Sequence, residues 1–286
     1  TQAIESRRGA SGHSENPFVA LMSKNATENT GEVYGFSLVY SGNFLASVEV
    51  DQYYTTRLVM GINPFDFAWQ LEPSEEFITP EVVMVYSNQG LGQMSRTYHS
   101  IYKDYLMKSK YKNELRPIVI NNWEATYFDF NEEKIKEIAR EASKLGIEMF
   151  VLDDGWFGKR NMDNSSLGDW FVNEAKLPNG LKGVADAVNS YGMKFGLWVE
   201  PEMISPDSDL YRAHPDWCIH VPNRSRSQSR QQLILDYSRA DVRQAIIEML
   251  TNVFESANIE YVKWDMNRNM SEIGSALLDA SRQQET

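Results

Sequence analysis

One cysteine, Cys218, stands among 286 residues. That rules out an intrachain disulfide framework and sets a reducing cytoplasm as the expected compartment. No stretch approaches the roughly 20 apolar residues of a membrane span, and residues 1–20 lack the apolar centre of a secretory leader. No membrane partner is therefore expected. Bases are scarce: 28 Lys and Arg against 40 Asp and Glu leave a formal charge of −12 and a pI near 4.9. A phosphate backbone calls for cations gathered on one face, so nucleic acid is excluded as an expected partner. Histidine is rare too. His13, His99, His214 and His220 fall in no ligand spacing, which argues against zinc and His-based triads. No cofactor and no metal are expected. An initiator Met is absent, and Arg282 to Thr286 is an equally abrupt end, so the chain is expected to be a piece of a longer protein.

Aromatics are plentiful: 7 Trp, 14 Tyr and 13 Phe. Most such residues sit in cores. An excess beside acidic motifs also suits sugar binding, because a flat ring covers the C–H face of a pyranose while carboxylates take its hydroxyls.

The rhythm of the chain changes near residue 105. Before it, short β-rich runs (33–40, 44–50, 56–60, 65–69, 81–86) alternate with turn residues such as Ser41-Gly42-Asn43. That spacing predicts an antiparallel sandwich, followed by a linking helix over 98–112. After residue 115 the pattern is strand, loop, helix, repeated. Strands are predicted over 116–121, 147–152, 193–199 and 259–264. The intervening helices are 131–145, stopped by Gly146, 181–191, closed by Gly192, and a third striped by Val242, Ile246, Leu250 and Val253. Alternating βα units imply a parallel sheet. Four units amount to half of a (β/α)8 barrel, whose full length is about 250 residues. The expected division is a sandwich piece over 1–105 and half a barrel over 106–286.

The polar motifs all follow strand ends: Asn121 to Phe128, Asp153 to Gly158, Trp198 to Met203 and Lys263 to Arg268. Residues two apart on a strand face the same way, so Lys263 and Asp265 share a face and Trp264 turns toward the helix layer. Trp198 and Glu200 share one too, with Gly196 expected to make room beneath the indole. A carboxylate beside a lysine favours ionisation, which suits a nucleophile rather than a general acid. A structural Lys–Asp pair accounts for the same residues equally well. Asp153 and Asp154, adjacent acids after an apolar strand, suit the vicinal hydroxyls of a sugar; a helix cap or a cation site would use them too.

Together the four runs resemble family 36 glycoside hydrolases, the bacterial α-galactosidases of the melibiase clan, over roughly residues 110–286. The earlier region is similar to the end of that family's N-terminal β-sandwich. The resemblance implies retaining hydrolysis of α-galactosyl residues of oligosaccharides such as melibiose and raffinose. It implies Asp265 as the nucleophile, with Asp153, Asp154, Lys263, Asn267 and Arg230 on the sugar hydroxyls and Trp123 and Trp198 shaping the pocket. It also implies a homo-oligomer, a tetramer, for the full-length protein. The family's general acid/base aspartate has no counterpart here, since the chain ends about twenty residues past Asp265; these residues alone are expected to be inactive. Glu200 and Glu202 are rejected as substitutes.

Three other readings use the same residues. A metal-dependent barrel enzyme would take Asp153, Glu200 and Asp265 as ligands. A carbohydrate-binding module would need no nucleophile. Sister activities of the clan, on α-N-acetylgalactosamine or in galactosyl transfer, would keep the whole site.

Overall fold

A computed structural model describes all 286 residues. Chain contacts divide it into two compact units, Thr1–Arg116 and Pro117–Gln284, the last two residues aside.

The first unit is built of two antiparallel sheets. Strands β1 (Gln2–Glu5), β4 (Phe44–Val50) and β5 (Thr56–Ile62) form one, in the order β1-β4-β5. Strands β2 (Phe18–Met22), β3 (Val33–Leu38) and β6 (Val82–Ser87) form the other, in the order β2-β3-β6. Leu38, Phe44 and Ala46 are buried together with Ile4, Val19 and Met60 against them, so both sheets contribute to one apolar layer. This is the sandwich arrangement that alternating strands require, each sheet hiding one face. Residues 65–69 are not a strand. Pro64 precedes them, Asp66 takes φ 56°, and Phe67 and Trp69 cluster on the Phe77 ring instead. The helix expected over 98–112 is displaced: α1 runs Gly90–Ile101 and ends in a π turn, Tyr102–Leu106. Its buried Met94 and Tyr98 pack under β3 and β6 with Val33 and Val85.

The second unit carries a four-stranded parallel sheet: β7 (Val119–Asn121), β8 (Met149–Leu152), β9 (Lys194–Val199) and β12 (Tyr261–Trp264), in the order β12-β9-β8-β7. Each strand neighbours the one before it, with no reversal of order. That is the progression of a barrel wall rather than of a doubly wound sheet. Crossing between the strands are α3 (Glu132–Lys144), α4 (Gly180–Ser190) and α6 (Ala240–Glu255). A short α2 (Trp123–Thr126) follows β7. A two-stranded ribbon of β10 (Met203–Ile204) and β11 (Leu233–Ile234), with α5 (Asp209–Ala213) between them, is inserted after β9.

Helix α3 shows how local sequence sets these boundaries. Asn131 Oδ1 accepts the Lys134 N–H at 2.9 Å, which makes Asn131 the N-cap, a contact worth about 1 kcal/mol. Gly146, at φ 81°, supplies the left-handed residue that ends the helix. Ile135, Ala139 and Ala142 are buried as their spacing predicts, but Leu145 lies beyond the last turn and is 83% exposed. The core of this unit is one continuous cluster. Phe150, Leu152, Phe195, Leu197 and Val199 of the sheet meet Ile135, Val184, Val242 and Ile246 of the helices.

Candidate active site

The strand register brings four loops to one end of the sheet. Asn121 pairs with Val151, Leu152 with Leu197, and Trp198 and Val199 with Lys263 and Trp264, so Asp153 steps off β8 beside Trp198 and Lys263, and Glu200 and Asp265 follow together two residues further on. A cavity of about 240 Å³ opens there. Drug-sized ligands need roughly 300–1,000 Å³, so this one suits a single small ligand unit. Its wall contains Asp153, Asp154, Lys263, Asp265 and Asn267 together with Trp123, Trp198 and Arg230. All eight residues singled out from the sequence therefore line one space. Phe128, Arg160, Asp163 and Gln232 complete it. None of those four is a site candidate on sequence grounds.

The pairing inside the cavity differs from the sequence expectation. Lys263 Nζ does not pair with Asp265; it reaches Asp153 Oδ2 at 2.7 Å, across to the end of β8. Asp153 also accepts from Asn121 Nδ2 and from the Asp154 N–H, the latter at 2.8 Å. Asp154 forms a buried bidentate pair with Arg160, Nε to Oδ1 at 2.7 Å and Nη2 to Oδ2 at 2.8 Å. Burial pushes the Asp154 carboxyl up from its ordinary value, and the guanidinium pulls it back. The adjacent acids thus have a cation each, and this demand was the available clue to Arg160. Two carboxylates buried after an apolar strand require counter-charges, and Arg160 lies six residues along the same loop.

Asp265 is held by neutral donors. Its Oδ2 accepts Trp198 Nε1 at 3.0 Å and Asn267 Nδ2 at 2.7 Å, and its Oδ1 accepts the Met266 N–H at 3.0 Å. Trp198 is almost fully buried, stacked 6.1 Å from Phe157 at an interplanar angle of 6°. Trp156 Nε1 donates to the Trp198 carbonyl at 2.9 Å. Trp156, Phe157 and Trp170 are therefore the buttress of this indole rather than sugar platforms. Gly196 does not make room for the indole: a Cβ there would meet Tyr261 and Val151. Trp264 turns away from the cavity, donates Nε1 to both Glu202 oxygens at 2.8 and 2.9 Å, and is 54% exposed instead of covered by a helix layer.

Glu200 and Glu202 do not line the cavity. Burial pushes the Glu200 carboxyl up to about 7, with the neighbouring Asp265 charge adding to the effect and hydrogen bonds from Asn267 opposing it. The three acids offered as metal ligands are turned to different partners, Asp153 to Lys263, Glu200 to Asn267 and Asp265 to Trp198 and Asn267. A buried ammonium braces the wall. Lys176 Nζ donates to the carbonyls of Phe128, Gly155 and Arg160 at 3.0, 2.9 and 2.9 Å, and desolvation lowers its pKa. Trp123, half-buried, stands edge-on to Tyr127 and Phe128. Arg230 projects from a two-residue turn between Ser229 and Gln232.

Residues 76–286 match the melibiase family model, and residues 1–72 match the N-terminal domain of glycosyl hydrolase family 36. The chain belongs to the melibiase family. Among curated relatives of this family it is 67% identical over 285 residues to alpha-galactosidase AgaA of Geobacillus stearothermophilus, covering 100% of this chain. It is 53% identical over 284 residues to alpha-galactosidase 1 of Pediococcus pentosaceus, covering 99%. The chain spans 39% of the length of each. The crystal structure of the Geobacillus enzyme superposes with a TM-score of 0.98 over all of this chain and 40% of that one. A variant of that enzyme solved in complex with raffinose gives 0.98 at 66% identity. The fold is accordingly the family 36 N-terminal sandwich followed by part of a (β/α)8 barrel.

Proposed function

We propose that the protein carrying this chain is a retaining α-galactosidase that hydrolyses terminal α-galactosyl residues of oligosaccharides such as melibiose and raffinose. The observation that carries the reading is Asp265. An aspartate at the end of a barrel strand is fixed by three N–H donors in a cavity sized for one sugar. Two of the three fall on Oδ2, leaving Oδ1 the oxygen with more lone-pair capacity for the anomeric carbon.

In the proposed double displacement Asp265 attacks that carbon while a second carboxylic acid protonates the departing glycosidic oxygen. Water then releases galactose through the same acid acting as base. Three acids near Asp265 are committed, Asp153 to Lys263, Asp154 to Arg160 and Glu200 to Asn267, and Asp163 also lines the cavity. On the strength of the family resemblance we assign the acid/base role to an aspartate outside the 286 residues. Asp153 and Asp154 retain acceptor capacity beyond their ion pairs, and with Lys263, Arg230 and Asn267 they are assigned to the sugar hydroxyls. Trp123 and Trp198 are assigned to its apolar face. Asp265 and Asp153 as competing acceptors, and Lys263 and Arg230 as donors, suit a neutral polyol rather than a charged substrate.

The relatives named alpha-galactosidases, and the Geobacillus structure in complex with raffinose, support the substrate class. No helix is long and apolar enough to cross a membrane. A cytoplasmic tetramer completes the proposal, to be checked by fractionation and sedimentation velocity. The decisive experiment uses the full-length protein. Asp265→Asn is expected to abolish turnover of 4-nitrophenyl α-galactoside, leave galactose binding largely intact and prevent labelling by a 2-fluoro α-galactosyl donor. Normal labelling of that variant would overturn the assignment.

A further inference from the structure

One fully buried acid beside the cavity has no role in the reading above. Glu200 is fully buried and stands beside the Asp265 carboxylate. It does not line the cavity and takes no part in the displacement proposed above. A buried carboxyl next to another acid is costly unless it secures something. What it touches is specific. Its Oε1 accepts the backbone N–H of Asn267, and Gln232 Nε2 faces its Oε2 at 3.5 Å. The side chain of the same Asn267 donates to Asp265 Oδ2 at 2.7 Å.

Strand alternation supplies a second, independent line. Trp198 and Glu200 lie two apart at the end of β9, so both project toward the β12 loop. Trp198 takes Asp265 Oδ2 directly, at 3.0 Å, and Glu200 takes the backbone two residues further on. Between them, the Val199 carbonyl accepts the Asp265 N–H at 2.8 Å, which continues the parallel ladder of β9 and β12 by one step. Three successive residues of one strand end, Trp198, Val199 and Glu200, therefore grip the segment from Asp265 to Asn267.

We propose that Glu200 is a positioning residue for the nucleophile: it anchors the Asn267 backbone and so aims the Asn267 amide at Asp265 Oδ2. The inference rests on Asp265 being the nucleophile. The upward displacement of the Glu200 pKa to about 7 agrees with a carboxyl buried for its hydrogen bonds rather than for its charge. Either protonation state leaves Oε1 able to accept the Asn267 N–H, and a glutamine oxygen can do the same.

The test compares two variants of the full-length protein, Glu200→Met, which keeps length and removes the acceptor, and Glu200→Gln, which keeps it. With 4-nitrophenyl α-galactoside, Glu200→Met is expected to lose roughly 10- to 100-fold in kcat, as a misplaced reacting group does, with KM within about twofold. Glu200→Gln is expected to recover kcat to within roughly threefold of the parent. Equal losses in both variants, or none in Glu200→Met, would overturn the proposal. The parent and Asp265→Asn run alongside, so a failure of the nucleophile assignment shows itself separately. Crystal structures of the variants read the positioning without any turnover: in Glu200→Met the Asn267–Asp265 contact opens beyond hydrogen-bonding distance, and in Glu200→Gln it is kept. An unmoved Asn267 in Glu200→Met would equally refute the role.

Discussion

At the scale of single residues, burial of Glu200 has a thermodynamic consequence separate from its place beside Asp265. Its ordinary pKa of 4.5 is lifted to about 7 in the folded protein. Between those values the folded state holds a proton that the unfolded chain has released. The stability this group contributes is complete below about pH 4.5 and is lost as the pH rises through 7. A displacement of that size corresponds to ~3 kcal/mol. Asp265 strengthens the effect and Arg160, the cation facing the same space, weakens it. Glu200→Gln cannot ionise. Its thermal midpoint is expected to fall less than the parent's between about pH 5 and about pH 8, so that the variant gains on the parent at the alkaline end. Parallel midpoint curves for the two proteins would contradict the displaced titration.

At the scale of elements, the turn that presents Arg230 is informative because its sequence is wrong for its shape. Ser229 and Gln232 pair across it, with the Gln232 N–H on the Ser229 carbonyl at 2.9 Å. Its two central residues, Arg230 and Gln231, sit at φ 50° and 58°. Such turns favour Asn-Gly, and a side chain in the left-handed region costs about 1–2 kcal/mol. Arg230 lines the cavity and has a reason to stay; Gln231 is exposed and does not line it. Gln231→Gly should therefore raise the unfolding free energy by roughly 0.5–1 kcal/mol, part of the relief being offset by the freer unfolded chain, with KM unchanged. A fall in stability, measured by denaturant unfolding, would show that the Gln231 side chain does more than tolerate the turn.

The same scale shows what a sequence can disclose. The βα rhythm locates the strands of the second unit because each is a short apolar run closed by polar residues, and alternation puts Trp198 with Glu200 on the Asp265 side. Strands β1, β10 and β11 leave no such mark. Gln2–Glu5 has no apolar alternation and is a strand through its pairing with β4; β10 and β11 have two residues each. Within the site, alternation assigns the face of Lys263 but not its reach, and a long flexible side chain finds Asp153 instead of Asp265. Arg160 and Gln232 are hidden for a related reason. Their place in the wall depends on loops folding back, which no local period encodes.

At the scale of the whole molecule, the surplus of 40 acids over 28 bases contrasts with a cavity whose charges are largely matched. Asp153 has Lys263, Asp154 has Arg160, and Arg230 balances Asp265 in sign. This bears in two ways on the proposed action of the full-length protein on a neutral galactoside. The first concerns metals. Of the acids that could serve as ligands, Asp153 is paired with Lys263, Glu200 accepts from Asn267 and Asp265 accepts from Trp198 and Asn267, and no group of three or more His, Cys, Asp or Glu side chains is arranged to hold a metal ion. Dialysis against EDTA is therefore expected to leave kcat/KM unchanged, and a loss restored by a divalent cation would favour the metal-dependent reading. The second concerns salt. Electrostatic steering acts on charged ligands and is screened over about 10 Å at 0.1 M ionic strength, whereas a galactoside carries no charge for the acidic surface to repel. Between low salt and about 0.5 M, kcat/KM for 4-nitrophenyl α-galactoside is expected to vary by less than about twofold. A steep decline with salt would mean that surface ion pairs, not the cavity pairs of Asp153 and Asp154, hold the site together.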